Sequence, residues 1–224
     1  MIVRPVLLTL LAVSSAGYGF APVSNRAALV AEGEKWWTSS PDPRNPVACA
    51  TCHHDHGETR EWAASFPKYR PLPPPEGRVM TLLQATAEAV RRHYGLADPE
   101  QPAVAITAYL MSSSRGVPVS PGLVAGQPAF EGRLRALEES VGRGERLFAR
   151  RCYSCHTPAA VARAAFRFPR AVAGRVESLE NFLGRHRSEA SSLGWDEQPT
   201  ADVIAFLMST LVGQPIDDSS ECSP

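Results

Sequence analysis

Two strings in this chain combine residue types that can hold an iron porphyrin: Cys49-Ala-Thr-Cys52-His53 and Cys152-Tyr-Ser-Cys155-His156. Each reads C-x-x-C-H, the spacing of covalent c-type haem attachment. Two thiols one turn apart add to the two vinyl groups on one porphyrin edge, and the adjoining histidine binds the iron axially. The expected cofactors are therefore two covalently bound c-type haems, with Cys49, Cys52, Cys152 and Cys155 as attachment points. His53 and His156 are the expected proximal ligands. A structural zinc site would use the two cysteine pairs together. The long separation of the pairs, and a histidine after each, fit that chemistry poorly.

The choice of second axial ligand sets potential and reactivity. Candidates are few: His54, His56, His93 and His186, and Met80, Met111 and Met208. Val79, Leu82, Leu83, Thr86 and Val90 recur at helical spacing, and His93 continues that stripe. Val176, Leu179, Phe182 and Leu183 form the corresponding stripe in the second half, continued by His186. This paired occurrence selects His93 and His186 as expected distal ligands. Met111 and Met208 are also paired, but they sit inside closing helices where packing is the simpler role. Met80 remains a rival without a counterpart, since Glu177 stands there. His54 and His56 lie too close to the first motif to reach the opposite haem face. Bis-histidine ligation implies low potential and a closed coordination shell, which favours electron transfer over catalysis.

The elements that must position these residues repeat along the chain. Gly33-Glu-Lys-Trp-Trp37 and Gly144-Glu-Arg-Leu-Phe148 each read as a helix leading into a motif, with a proline-rich insert, 38–48, in the first copy only. Phe66-Pro67 and Phe168-Pro169 follow the motifs. Gly-Arg-Val segments at Gly77 and Gly174 are expected to open the striped helices. Both halves close alike, with Ala108-Tyr-Leu-Met-Ser-Ser matching Ala205-Phe-Leu-Met-Ser-Thr and a Gly-x-Pro stop after each. The expected fold class is all-α, with two tandem cytochrome c-like haem domains at 22–118 and 139–216. Segment 119–138 is read as a linker whose Pro/Gly-rich start is exposed, and 217–224 as a polar tail containing Cys222. Domains of this size have thin cores of their own, so the haem-free chain is expected to be unfolded or molten.

Arg4 followed by Val6–Val13 and small residues reads as a secretory signal peptide over 1–21. Its apolar core is too short to span a bilayer. Export fits haem attachment outside the bacterial cytoplasm, so a periplasmic protein without a membrane span in its mature form is expected. The formal net charge is zero, so the total charge implies no acidic or basic partner. The ten arginines against three acids between Arg143 and Arg187 suit haem propionates or an acidic redox partner. No nucleic-acid recognition motif accompanies them.

Gly-x-x-Leu-Phe-x-x-x-Cys-x-x-Cys-His with a closing Ala-(Tyr/Phe)-Leu helix resembles the class I cytochrome c fold. The stretches Phe66–Arg70, Val79–Leu82 and Ala108–Val119 resemble the dihaem SoxA and thiosulfate dehydrogenase group. In that group a cysteine on the helix after Val-x-Thr-Leu is the distal ligand. The position falls near Ala89, and no cysteine lies between Cys52 and Cys152. The expected function is therefore electron transfer between redox-protein partners, alone or as a subunit of a larger assembly. Sulfur-compound oxidoreduction and gas binding are the alternatives.

Overall fold

The computed structural model describes residues 25–54, 59–71, 77–123, 131–172, 175–185, 194 and 196–217. The signal segment, His56, Gly174, His186 and Cys222 lie outside these. The molecule is mostly helical. In chain order the elements are α1 (Arg26–Thr38), α2 (Cys49–Cys52), α3 (Trp62–Ser65), β1 (Lys68–Arg70), β2 (Arg78–Met80), α4 (Leu82–Tyr94) and α5 (Glu100–Ser113). The second half continues with α6 (Glu131–Arg151), α7 (Pro158–Ala165), β3 (Arg170–Val172), β4 (Arg175–Glu177), α8 (Leu179–Arg185) and α9 (Gln198–Ser209).

Two helix crossings organise the halves: α1 on α5, and α6 on α9. Each is made possible by a glycine. A Cβ on Gly33 would overlap the Ala105 carbonyl oxygen and come within 2.9 Å of Tyr109 Cβ. A Cβ on Gly144 would overlap the Asp202 carbonyl oxygen and come within 3.0 Å of Phe206 Cβ. One turn further, Trp37 meets Tyr109 with ring centroids 6.1 Å apart, and Phe148 meets Phe206 at 5.5 Å. Asp202 adds polar anchors to the second crossing. Its carboxylate accepts from Arg143 at 2.7 and 2.9 Å, from Ser140 Oγ at 2.6 Å and from Gln198 Nε2 at 2.8 Å.

Strand was barely signalled by the sequence, yet each half contains a two-stranded antiparallel hairpin. Lys68 faces Met80 in β1–β2, and Arg170 faces Glu177 in β3–β4. The Gly-Arg-Val segments therefore do not open helices. Their Arg and Val residues are strand, and the helix starts only where a hydroxyl can cap it. Thr81 Oγ1 accepts from Gln84 N while Gln84 Oε1 accepts from Thr81 N, both at 3.2 Å. Ser178 Oγ accepts from Asn181 N at 3.0 Å in the same way.

At both of its described ends, segment 119–138 departs from the expected linker. Val119 is buried, and residues 131–138 form the first turns of α6. The reason lies in the two Gly-x-Pro stops, which pair with each other. Gly116 and Gly213 adopt left-handed φ of 79° and 80°, turning each chain end so that Pro118 bridges Pro215 antiparallel. Val119 N donates to Gln214 O and Gly213 N to Val119 O, each at 2.9 Å. Equivalent positions thus meet across a local two-fold relation. One apolar core runs through both halves, from Trp37, Phe66 and Ile106 to Phe148, Ile204 and Leu211.

Candidate haem-attachment site

The first motif forms the single turn α2, closed by His53 N donating to Cys49 O at 2.9 Å. That turn brings Cys49 and Cys52 to the same side. Helix α4 reaches it through Tyr94, whose hydroxyl donates to Trp36 O at 2.8 Å and lies 3.3 Å from both Cys49 N and Cys49 Sγ. Burial pushes the Cys49 thiol up, and burial first, then the thiol contact, pushes Tyr94 up as well. The His53 ring stands edge-on to Trp62 at 4.8 Å and lies 6.0 Å from Trp37.

Beside the motif lies a cavity of about 690 Å³ reached by Cys49, Cys52 and His53. Helix α4 walls it along its length, with Leu82, Ala85, Thr86, Ala89 and His93 among the residues that line the space. The lining is rich in cations, with Arg70 from β1, Arg133 from α6 and Lys68, along with the paired Arg92 and Glu88 of α4. Burial, and then the neighbouring Arg133 charge, depress Arg70 below the usual guanidinium range. Two guanidiniums set against each other are relieved by anions placed between them. A largely apolar slot lined by two thiols, a histidine and two neighbouring guanidiniums fits haem, whose thioethers, iron and propionates would find partners there.

His93 lies at the rim and is exposed. Its Nε2 is 3.0 Å from Val47 O, and its own carbonyl accepts from Asn45 Nδ2 at 3.2 Å. The proline-rich insert thus holds it from both sides. Met80 is buried, 2 % exposed, and lines the cavity. Met111 and Met208 instead face a small cavity between the halves. His54 is exposed beside the motif.

The second motif follows directly from α6. Cys152 N donates to Phe148 O at 2.8 Å, and His156 N to Cys152 O at 2.9 Å, the same turn closure as in the first motif. Cys152 is half-buried, while Cys155 and His156 are exposed. Three features of the site escaped the sequence reading: the Tyr94 clamp, Arg133 and the two crossing glycines. Only the glycines left a signal, each being a helix-weakening residue four positions before an aromatic.

Covalent attachment turns and a porphyrin-sized slot define a c-type cytochrome. Residues 32–119 match the SoxA/TsdA, cytochrome c domain family. The crystal structure of SoxXA from P. pantotrophus superposes with a TM-score of 0.61 at 16 % identity, over 85 % of this chain and 75 % of that one. No curated protein matches the chain. Residues 32–119 are thus a cytochrome c domain of the SoxA/TsdA type, which implies covalently bound c-type haem. Among the described residues no helix is long and apolar enough to cross a membrane.

Proposed function

We propose that the chain is an exported, periplasmic dihaem cytochrome that passes electrons between redox-protein partners, with one haem held by each half. The observation that carries this reading is the α4 wall of the large slot. Where the family resemblance places a cysteine ligand, α4 presents Ala89, so the haem would lack the cysteine thiolate of thiosulfate-type chemistry. Cys49 and Cys52 would tether the first haem, with His53 as proximal ligand. Cys152, Cys155 and His156 would hold the second. When bound, the haem supplies one-electron redox chemistry, and Arg70 and Arg133 neutralise its propionates. The likeness to SoxXA supports a place in a redox complex serving sulfur-compound oxidation.

For the first haem His93 is the proposed distal ligand, being the one histidine that α4 turns to the cavity. It would exchange the Val47 carbonyl for iron. His186 takes the corresponding role in the second half. Burial of Met80 beside the same cavity favours it as the competing ligand. Spectra of the reduced protein with and without CO test the main reading. Two covalent haems per chain, neither binding CO, are expected; a CO-sensitive haem or thiosulfate turnover would overturn it. His93→Ala should convert one haem to high spin, whereas conversion by Met80→Ala alone would assign the ligand to Met80.

A further inference from the structure

The small cavity between the halves has a volume of about 70 Å³ and is lined by equivalent residues from both. Phe66 and Phe168, Leu82 and Leu179, and Met111 and Met208 face it in pairs. Two of the pairs are mismatched. Leu83 is matched by Glu180, and Ile204 by Thr107. Beside Thr81, this largely apolar interface therefore carries a carboxyl and a hydroxyl that the equivalent positions of the other half lack.

Both groups are deeply buried. Glu180 is 5 % exposed and Thr107 6 %. Glu180 Oε1 accepts from Thr81 Oγ1 at 2.6 Å. Among the described residues Thr107 Oγ1 has no hydrogen-bond partner. A buried hydroxyl left unsatisfied keeps its full desolvation penalty. The cavity exceeds the about 30 Å³ that one water occupies in the liquid, so ordered water can bridge the two groups.

Burial, the largest influence, raises Glu180 above the usual carboxyl range, while hydrogen bonds from Thr81, its own amide and Ser178 oppose this. The charged groups around it are few. Glu100 on α5 disfavours its ionisation and accepts from Asn181 Nδ2 at 2.5 Å. On the β3–β4 hairpin Glu177 is engaged by Arg170 and Arg185. Among the described residues lining the cavity Glu180 is the one titratable group. Phe66 and Leu82 line this cavity and the haem slot alike, so a single layer of side chains separates them.

We propose that Glu180, sharing with Thr107 a cavity that has room for water, is a proton-binding site coupled to the first haem. When one electron from a reductant enters that haem, one proton from solvent joins the Glu180 carboxylate. Oxidation releases both, so the interior gains no net charge. The proposal rests on the haem occupying the large slot.

The test is a redox titration of the holoprotein from pH 5 to 9, with the haem count measured first. The first haem's midpoint should fall with pH over part of that range, approaching about 59 mV per unit where one proton accompanies one electron. Glu180→Gln, which keeps the shape and hydrogen-bonding, should cut the slope at least twofold. It should also remove a protonated-carboxyl band from redox-difference infrared spectra. Thr107→Ile, copying Ile204, should shift the pH at which the slope appears. A fully loaded Glu180→Gln protein with unchanged slope and infrared bands overturns this proposal alone. A protein lacking the first haem overturns it together with the haem assignment.

Discussion

The two halves of this cytochrome use one scaffold for different interiors. Both cross a glycine-bearing helix over a closing helix, both cap a striped helix with a hydroxyl residue, and both close the attachment turn with the same hydrogen bond. They diverge where side chains face inward. The first half puts Met80 opposite Lys68 and builds α4 to Tyr94, walling a large apolar slot. The second puts Glu177 opposite Arg170, with side chains 8 % and 38 % exposed, and places Glu180 where the first has Leu83. A backbone plan survives exchange of apolar for charged residues when each charge receives a partner, since burying an unpartnered one costs several kcal/mol.

Removing the attachment cysteines tests the difference most severely. Cys49→Ala with Cys52→Ala should abolish covalent haem in the first half and lower Tm more than Cys152→Ala with Cys155→Ala. The first slot is walled by both halves, through α4 and through Arg133 of α6. Acid-acetone extraction and thermal melts would check this, and equal losses would break the asymmetry.

The crossings should instead behave alike. Gly33→Ala and Gly144→Ala each push a methyl into opposing backbone, at a cost of about 2–3 kcal/mol by overpacking. Urea unfolding of both variants would show similar losses. Asp202→Ala copies Ala105 from the first crossing and should cost about 2 kcal/mol. Buried Ser140 loses its acceptor, whereas Arg143, 42 % exposed, can turn to solvent.

Glu180→Leu copies Leu83 and should stabilise in a pH-dependent way. The raised acid keeps its proton in the fold while the unfolded chain loses it above about pH 4.3. Its penalty therefore grows with pH by about 1.4 kcal/mol per unit until the folded group also titrates. The gain from substitution should be larger in neutral than in acidic melts.

Glu88 gives the smallest effect. Burial raises it, but hydrogen bonds from Arg92 and Arg91 outweigh that and hold it below the usual carboxylate range. Its contribution is present above about pH 4.3 and is lost as pH falls through the folded value. Glu88→Gln should cost no more than about 0.5 kcal/mol, because such surface pairs are solvent-screened.

Attachment chemistry, helical character and internal repetition were legible in the chain itself. Cysteine spacing dictates thioether geometry within one turn, and periodic apolar residues dictate which face of a helix is buried. The hairpins were not legible, because three-residue strands carry too little pattern to compete with the helix that follows. Segment 119–138 reads as a linker by its Pro and Gly at 119–130, yet Val119 at its start is held by hydrogen bonds to Gly213 and Gln214, nearly a hundred residues away. Tyr94, Arg133 and Glu180 gained their roles in the same way. Local composition sets what a residue can do, but burial, a paired charge or a shared cavity wall comes only from segments that meet in three dimensions.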